Sequence, residues 1–258
     1  MVTLTTNKFA RITTLCVLYF AQGLPWGFIT TALISFLASK GLTMAESGIL
    51  LAKANLPWTF KLIWGPIIDT YTYRKMGKRR PWIIFALLGM AMSLITFASM
   101  ENISNNVQLL GWMFFIHNCF ASLQDVSSDA LAVDILDPDE QGIVNGSMMA
   151  SKVVGVGFGT IVMGTLLTKF GLVFAITSMF ILILFTASVP IIFLERPGEK
   201  TFPWSSYKSN KKDEKLVRDS FITIFKSLYK SFITLPPLSL SFFMLIGFIT
   251  KGINSGIM

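Results

Sequence analysis

The chain has 258 residues, of which 53% are apolar and only 14% charged, and its formal net charge is +8. A soluble domain carries about a quarter charged residues. This composition, with a mean hydropathy of +0.63, therefore excludes an ordinary water-soluble globule. A basic balance can mark a nucleic-acid binder, but here Lys and Arg cluster beside apolar runs. That placement argues against a nucleic-acid partner and for loop charges that orient membrane spans.

Apolar runs of about 20 residues can each cross about 30 Å of hydrocarbon. In chain order they predict six complete spans: 12–38, 45–68, 82–100, 109–135, 143–167 and 172–194. The first follows Lys8 and Arg11 and continues without a small-residue cleavage site, so it reads as a retained helix rather than a signal peptide. The second is interrupted by Lys53, Pro57 and Lys61. A further apolar run starts after Pro236 and Pro237 and continues to Met258, as the start of a seventh helix. The fold class is an all-α polytopic membrane protein. Its expected units are a six-helix bundle over 1–195, a basic linker over 196–237 and a truncated seventh span over 238–258.

Loop charge gives the orientation. The connections after the first, third and fifth spans carry only Lys40 and Lys169, whereas the opposite side carries 16 Lys and Arg residues, among them Arg74, Lys75, Lys78, Arg79 and Arg80. The positive-inside rule then places the amino terminus in the cytoplasm. The loop with Asp134, Asp137, Asp139 and Glu140 has no basic residue, but acidic residues weigh little in that rule. In 216–232, Val217, Phe221, Ile224, Phe225, Leu228 and Phe232 share one helical face. This segment is either an amphipathic helix on the inner leaflet or a linker helix without membrane contact.

Charges inside spans are the strongest residue-level signal, because an isolated charge in hydrocarbon costs several kcal/mol. Lys61 lies eight residues before Asp69, roughly 12 Å deep, and Asp125 lies nine residues before Asp134 at a similar depth. Asp125 and Asp129 stand one turn apart on one face, and Lys152 falls near the middle of the fifth span. These four residues form either a structural ion-pair network or a substrate and proton pathway. In the first span, Gln22, Gly23, Pro25, Trp26 and Gly27 are expected to interrupt the helix, as in the broken helices of transporters. Gln22 and Trp26 join the pathway candidates, Trp26 either stacking on a ring of the solute or packing. Gly155 and Gly159 have the spacing for tight helix contact. Cys16, Cys119 and His117 read as packing residues. No catalytic triad, metal cluster or nucleotide fingerprint occurs, so neither an enzyme nor a cofactor is expected.

The most specific motif follows the second span: Gly65-Pro66-Ile67-Ile68-Asp69, then Gly77-Lys78-Arg79-Arg80-Pro81. It resembles the signature loop of the major facilitator superfamily. An ion pair between Asp69 and the basic cluster would fix a tight hairpin, and the resemblance implies a conformational latch whose acidic partner on the fourth helix is Asp134. The latch set is Gly65, Asp69, Gly77, Lys78, Arg79, Arg80 and Asp134, with the choice of arginine left open by the long stretch from Asp69 to Gly77. Further runs, Phe60 to Asp69, Gln124 to Ala130 followed by Asp134 and Asp139 to Gly142, and Gly23-Leu24-Pro25, resemble the muropeptide permease (AmpG-type) family and its acetyl-CoA transporter relatives. That resemblance covers about residues 20–194.

It implies the amino-terminal six-helix bundle of the major facilitator fold. It also implies a multi-pass inner (cytoplasmic) membrane symporter that uses a proton to import a muropeptide or similar polar or anionic solute. The expected partners are the lipid bilayer, the solute, the proton and a separate carboxy-terminal half. The alternative is a transport-incompetent fragment, a split-gene subunit or an accessory membrane protein.

Overall fold

The structure is a computed structural model that describes residues 2–98, 106–202 and 204. The amphipathic segment 216–232 and the seventh apolar run lie outside the described residues. Among the described residues the chain forms six helical rods, here α1 to α6. Rod α1 is Lys8–Ser39. Rod α2 is made of Met44–Thr59, a 3-10 turn Lys61–Ile63 and Trp64–Thr70. Rods α3 and α4 are Arg80–Ala98 and Val107–Ile135. Rods α5 and α6 are Pro138–Phe170 and Leu172–Ile192.

Each start is set by local chemistry. The side chain of Asn7 accepts from the backbone of Ala10 at the head of α1. Thr43 and Glu46 form a reciprocal capping box at α2. Asn106 caps α4, and Pro138 occupies the first turn of α5.

Rods α1, α3, α5 and α6 are long and apolar enough to cross a membrane. Rods α2 and α4 are more polar, because they face each other through side-chain hydrogen bonds. Trp58 Nε1 donates to Asn118 Oδ1 at 3.0 Å, Trp64 Nε1 donates to Ser122 Oγ at 3.0 Å, and Lys53 Nζ donates to Gln108 Oε1. The two tryptophan pairs, which are partly buried, satisfy groups that lipid could not. The outer rods do the reverse: α3 and α6 expose Phe85, Met92, Ile181 and Phe185. The core between the rods is built on Leu18, Leu24, Phe28, Leu87, Phe114 and Met179. The whole is an all-α polytopic membrane protein.

Rods α1 and α5 cross most closely, and glycine makes the approach. A methyl on Gly23 would lie 2.1 Å from Lys152 O, and one on Gly159 would lie 2.0 Å from Leu24 O. Gly27 and Gly155 are equally blocked by backbone, while Gly157 faces open space. The expectation of an interrupted first helix is corrected here. Residues 8–27 are continuous α-helix through Pro25, and a π turn, Phe28–Leu33, follows at once. The wide turn absorbs the irregularity that proline introduces without breaking the rod. A second π turn, Gly159–Met163, occupies α5 beside it.

One end of the bundle is knit by charges and is called here the basic end. Arg11 Nη2 donates to Glu140 Oε2 at 2.6 Å and Lys8 Nζ lies 3.0 Å from Glu140 Oε1, tying the starts of α1 and α5. The backbone N–H of Leu4 donates to Leu194 O at 2.8 Å, so the amino-terminal residues run beside the exit of α6.

Candidate functional site

The embedded charges converge on Asp125. Lys61 Nζ from α2 lies 3.2 Å from Asp125 Oδ2, and Lys152 Nζ from α5 lies 3.5 Å from Asp125 Oδ1. One carboxylate of α4 thus joins three helices. Lys61 stands in the 3-10 turn rather than in regular helix, which aims its side chain across at α4. The carboxylate is buried, with 6% of its side chain exposed, while the lysines keep 35% and 26%. Each ammonium therefore spends one donor on Asp125 and retains others toward open space. Lys152 also stands over two aromatic faces, 5.1 Å from the Trp58 ring centre and 5.6 Å from that of Tyr19. Trp26 meets Trp58 edge to face at 5.7 Å.

Asp129, one turn along α4, has a different partner. The Tyr19 hydroxyl of α1 donates to its Oδ1. No lysine or arginine among the described residues lies within ion-pair distance of Asp129. Gln22 is buried, and neither atom of its carboxamide has a hydrogen-bond partner among the described residues. It sits inside the bundle rather than among the lysines' contacts. His117 is fully buried against Ser93 Oγ at 2.8 Å.

The loop after α2 forms a second cluster at the basic end. Arg79 Nη1 donates to Asp69 Oδ1 at 2.5 Å, and its Nε donates to Asp134 Oδ2 at 2.8 Å. Lys78 adds a contact to Asp134 at 3.3 Å. Arg79 is thus the arginine that ties α2 to α4. Arg80 departs from the sequence expectation: it pairs with neither aspartate. Its buried guanidinium donates to the backbone oxygens of Met76, Pro190, Lys200 and Thr201.

Gly77 has φ +108°, and a methyl there would lie 2.7 Å from Glu195 Oε2. Both facts demand glycine. Gly65 makes no such contact; its missing side chain faces open space.

Sequence reasoning missed Tyr19, Trp58, Glu195 and Glu199. Tyr19 was available as the third member of a stripe with Gln22 and Trp26 at helical spacing. Glu195 Oε2 accepts the backbone N–H of Arg79 at 3.0 Å and of Arg80 at 3.4 Å, so it caps α3 and positions the Arg79 side chain. Glu199 Oε2 accepts the N–H of Glu195 at 3.0 Å and lies 3.7 Å from Arg80 Nη1. Burial, reinforced by the neighbouring Glu195, pushes the Glu199 carboxyl up to about 7. The signal for these two residues was weak, because acidic residues in a basic stretch read as linker.

A family model described as Major Facilitator Superfamily matches residues 15–258. The anhydromuropeptide permease of Escherichia coli K12 is 29% identical over 160 residues, covering 60% of this chain and 30% of that protein. An uncharacterized protein of Schizosaccharomyces pombe is 26% identical over 173 residues, covering 65% of this chain and 32% of the relative. A putative transporter of Rickettsia conorii, AmpG 4, is 26% identical over 157 residues, covering 60% and 36%. The chain therefore spans 30% to 36% of the length of these three relatives. Because the family match runs through all six rods, the chain belongs to the major facilitator superfamily.

Proposed function

We propose that residues 1–195 are the amino-terminal bundle of a proton-coupled solute transporter, with 196–237 as linker and 238–258 as the start of a seventh span. In this reading the basic end and the amino terminus face the cytoplasm, and the membrane is a bacterial-type inner membrane. A carboxy-terminal half, on the same or a separate chain, supplies the other wall of the solute path. The solute is a muropeptide or a similar polar, anionic molecule, by likeness to the anhydromuropeptide permease.

The observation that carries the proposal is Asp125 held between Lys61 and Lys152, on three helices. An anionic group of the solute competes with Asp125 for the lysines. Asp125, the carboxylate released from the two lysines, is the residue that carries the coupling proton in this reading. Binding and protonation are thereby linked, as symport requires. The Arg79 cluster, with Asp69 and Asp134, holds one end of the bundle closed in one state of the cycle.

The test is uptake of labelled anhydromuropeptide into proteoliposomes containing this chain together with its carboxy-terminal half, with and without an imposed pH gradient. Asp125→Asn is expected to abolish gradient-driven accumulation while leaving solute exchange across the membrane intact. Accumulation by the variant equal to that of the unaltered chain would reject the proton role.

A further inference from the structure

Beside the charge cluster lies a cavity of about 320 Å³ between α1, α4 and α5. Its polar groups are the Asp129 carboxylate, the Tyr19 hydroxyl and the carboxamides of Gln141 and Asn145. Leu136 and Met149 contribute apolar wall. The pocket is open on the side of Val133, Gln141 and Met149, and its volume is ample for an amine and the carbon that bears it.

Asp129 differs from Asp125, its neighbour one turn away on α4. Asp125 holds two lysines, whereas Asp129 has only a neutral phenol on Oδ1 and no cation within ion-pair distance among the described residues. A carboxylate without a counter-charge in a pocket open on one side favours a cation as its ligand. Gln141 and Asn145, exposed residues of the first turns of α5, line the same pocket, and each side chain carries a carbonyl oxygen able to accept. One anionic and two neutral acceptors match the three donors of an ammonium group. The apolar wall suits the carbon that bears such an amine. A metal ion is less well served, since among the described residues no group of three His, Cys, Asp or Glu side chains converges anywhere.

Tyr19 is the partition between this cavity and the lysines. Its ring lies under the Lys152 ammonium while its hydroxyl points to Asp129. Met149 of the cavity wall and Lys152 are one turn apart on α5. Positive and negative binding groups therefore stand on the two sides of one aromatic side chain.

We infer that this cavity is an ammonium-binding subsite, so the solute is zwitterionic, with its amine at Asp129 and its anionic group at Lys152 and Lys61. This inference rests on reading the bundle as part of a solute transporter, but its test is binding and needs no transport. The probe is alanyl-alanine, whose ammonium and carboxylate lie about 6 Å apart. The comparison probe is its N-acetylated form, which keeps the carboxylate and loses the cation.

Titration calorimetry on the purified full chain should show saturable binding of alanyl-alanine, weakened at least tenfold by acetylation. Asp129→Asn should weaken alanyl-alanine at least tenfold and make the two probes bind alike. Asn145→Leu, at an exposed position that leaves the helix contacts untouched, should weaken only the free amine, by a few-fold. Equal binding of both probes to the unaltered chain, no binding of either, or a preference for the amine that survives Asp129→Asn each overturns the inference. So does a sodium-binding signal that disappears in Asp129→Asn and that alanyl-alanine does not displace. Amine-dependent binding without gradient-driven uptake would instead reject the transport reading and leave the subsite standing.

Discussion

Consider alanine at Gly159 in the crossing of α1 and α5. The added methyl would lie 2.0 Å from Leu24 O and 3.0 Å from the backbone N of Phe28. Ordinary contact begins near 3.4 Å, so the two rods must part by about 1.4 Å at this level. The obstacle is backbone, which has no rotamer to move into. Overpacking of this kind costs about 1–3 kcal/mol. Gly157→Ala is the internal control. It makes the same chemical change two residues away, where nothing lies within 4 Å. The intrinsic gain from replacing a helical glycine, about 1 kcal/mol, is common to both variants and cancels in the comparison. At about 2–4 °C per kcal/mol for a chain of this size, Gly159→Ala should melt roughly 2–12 °C below Gly157→Ala. Differential scanning fluorimetry of the two variants in one detergent reads this difference. Equal melting temperatures would refute the close crossing.

Removing the Arg79 guanidinium with Arg79→Ala leaves Asp69 and Asp134 with Lys78 alone. The expected loss is about 1–3 kcal/mol, read as a lower melting temperature, and Arg79→Lys should recover only part of it because a lysine lacks the planar fork whose Nη1 and Nε are aimed at the two carboxylates. Arg80→Ala should cost at least as much, since it strips four backbone oxygens of their donor; a silent Arg80→Ala would refute its role as a structural tie. For Glu199 the sign follows from linkage. Its carboxyl binds a proton more tightly in the folded chain, near 7 against an ordinary 4.5. Its contribution to stability is therefore full below about pH 4.5 and is lost as pH rises through 7. The melting temperature should be higher at pH 6 than at pH 8, and Glu199→Gln should flatten that part of the profile. An unchanged profile in the variant would show that another group titrates.

Rods α1, α3, α5 and α6 were legible because apolar run length is a direct consequence of bilayer thickness, whereas α2 and α4, also read as spans, fall short of that combination of length and apolarity among the described residues. The convergence of Lys61, Lys152 and Asp125 was legible because charges in apolar runs have few places to go. Gly155 and Gly159 showed their function by spacing, and the structure added Gly23 and Gly27 as the facing pair. The choice between Arg79 and Arg80 was not legible. It depends on the path of residues 71–78, which includes a 3-10 turn, Arg74–Met76, and the positive φ of Gly77. A one-residue shift there exchanges a guanidinium that faces two carboxylates for one that faces carbonyls. Proline in the first span read as a break because its missing N–H is a local property. The π turn that accommodates it depends on the neighbouring rod, which sequence periodicity does not report. Glu195 was hidden for a related reason: its burial follows from the return of the chain onto the start of α3.

The polar faces of α2 and α4 also bear on how the protein is made. Lys61 and its carboxylate partner are 64 residues apart in the chain. At a synthesis rate of about 5–20 residues per second, α2 waits roughly 3–13 s for α4 to emerge. Through that interval Lys61 lacks its counter-charge, and a solitary α2 is a poor substrate for lateral release into lipid. The second helix is therefore expected to linger at the insertion machinery until the fourth arrives, so that the two leave it as a pair. A charge reversal at Asp125 would then reduce the amount of protein inserted before it affected anything the finished protein does.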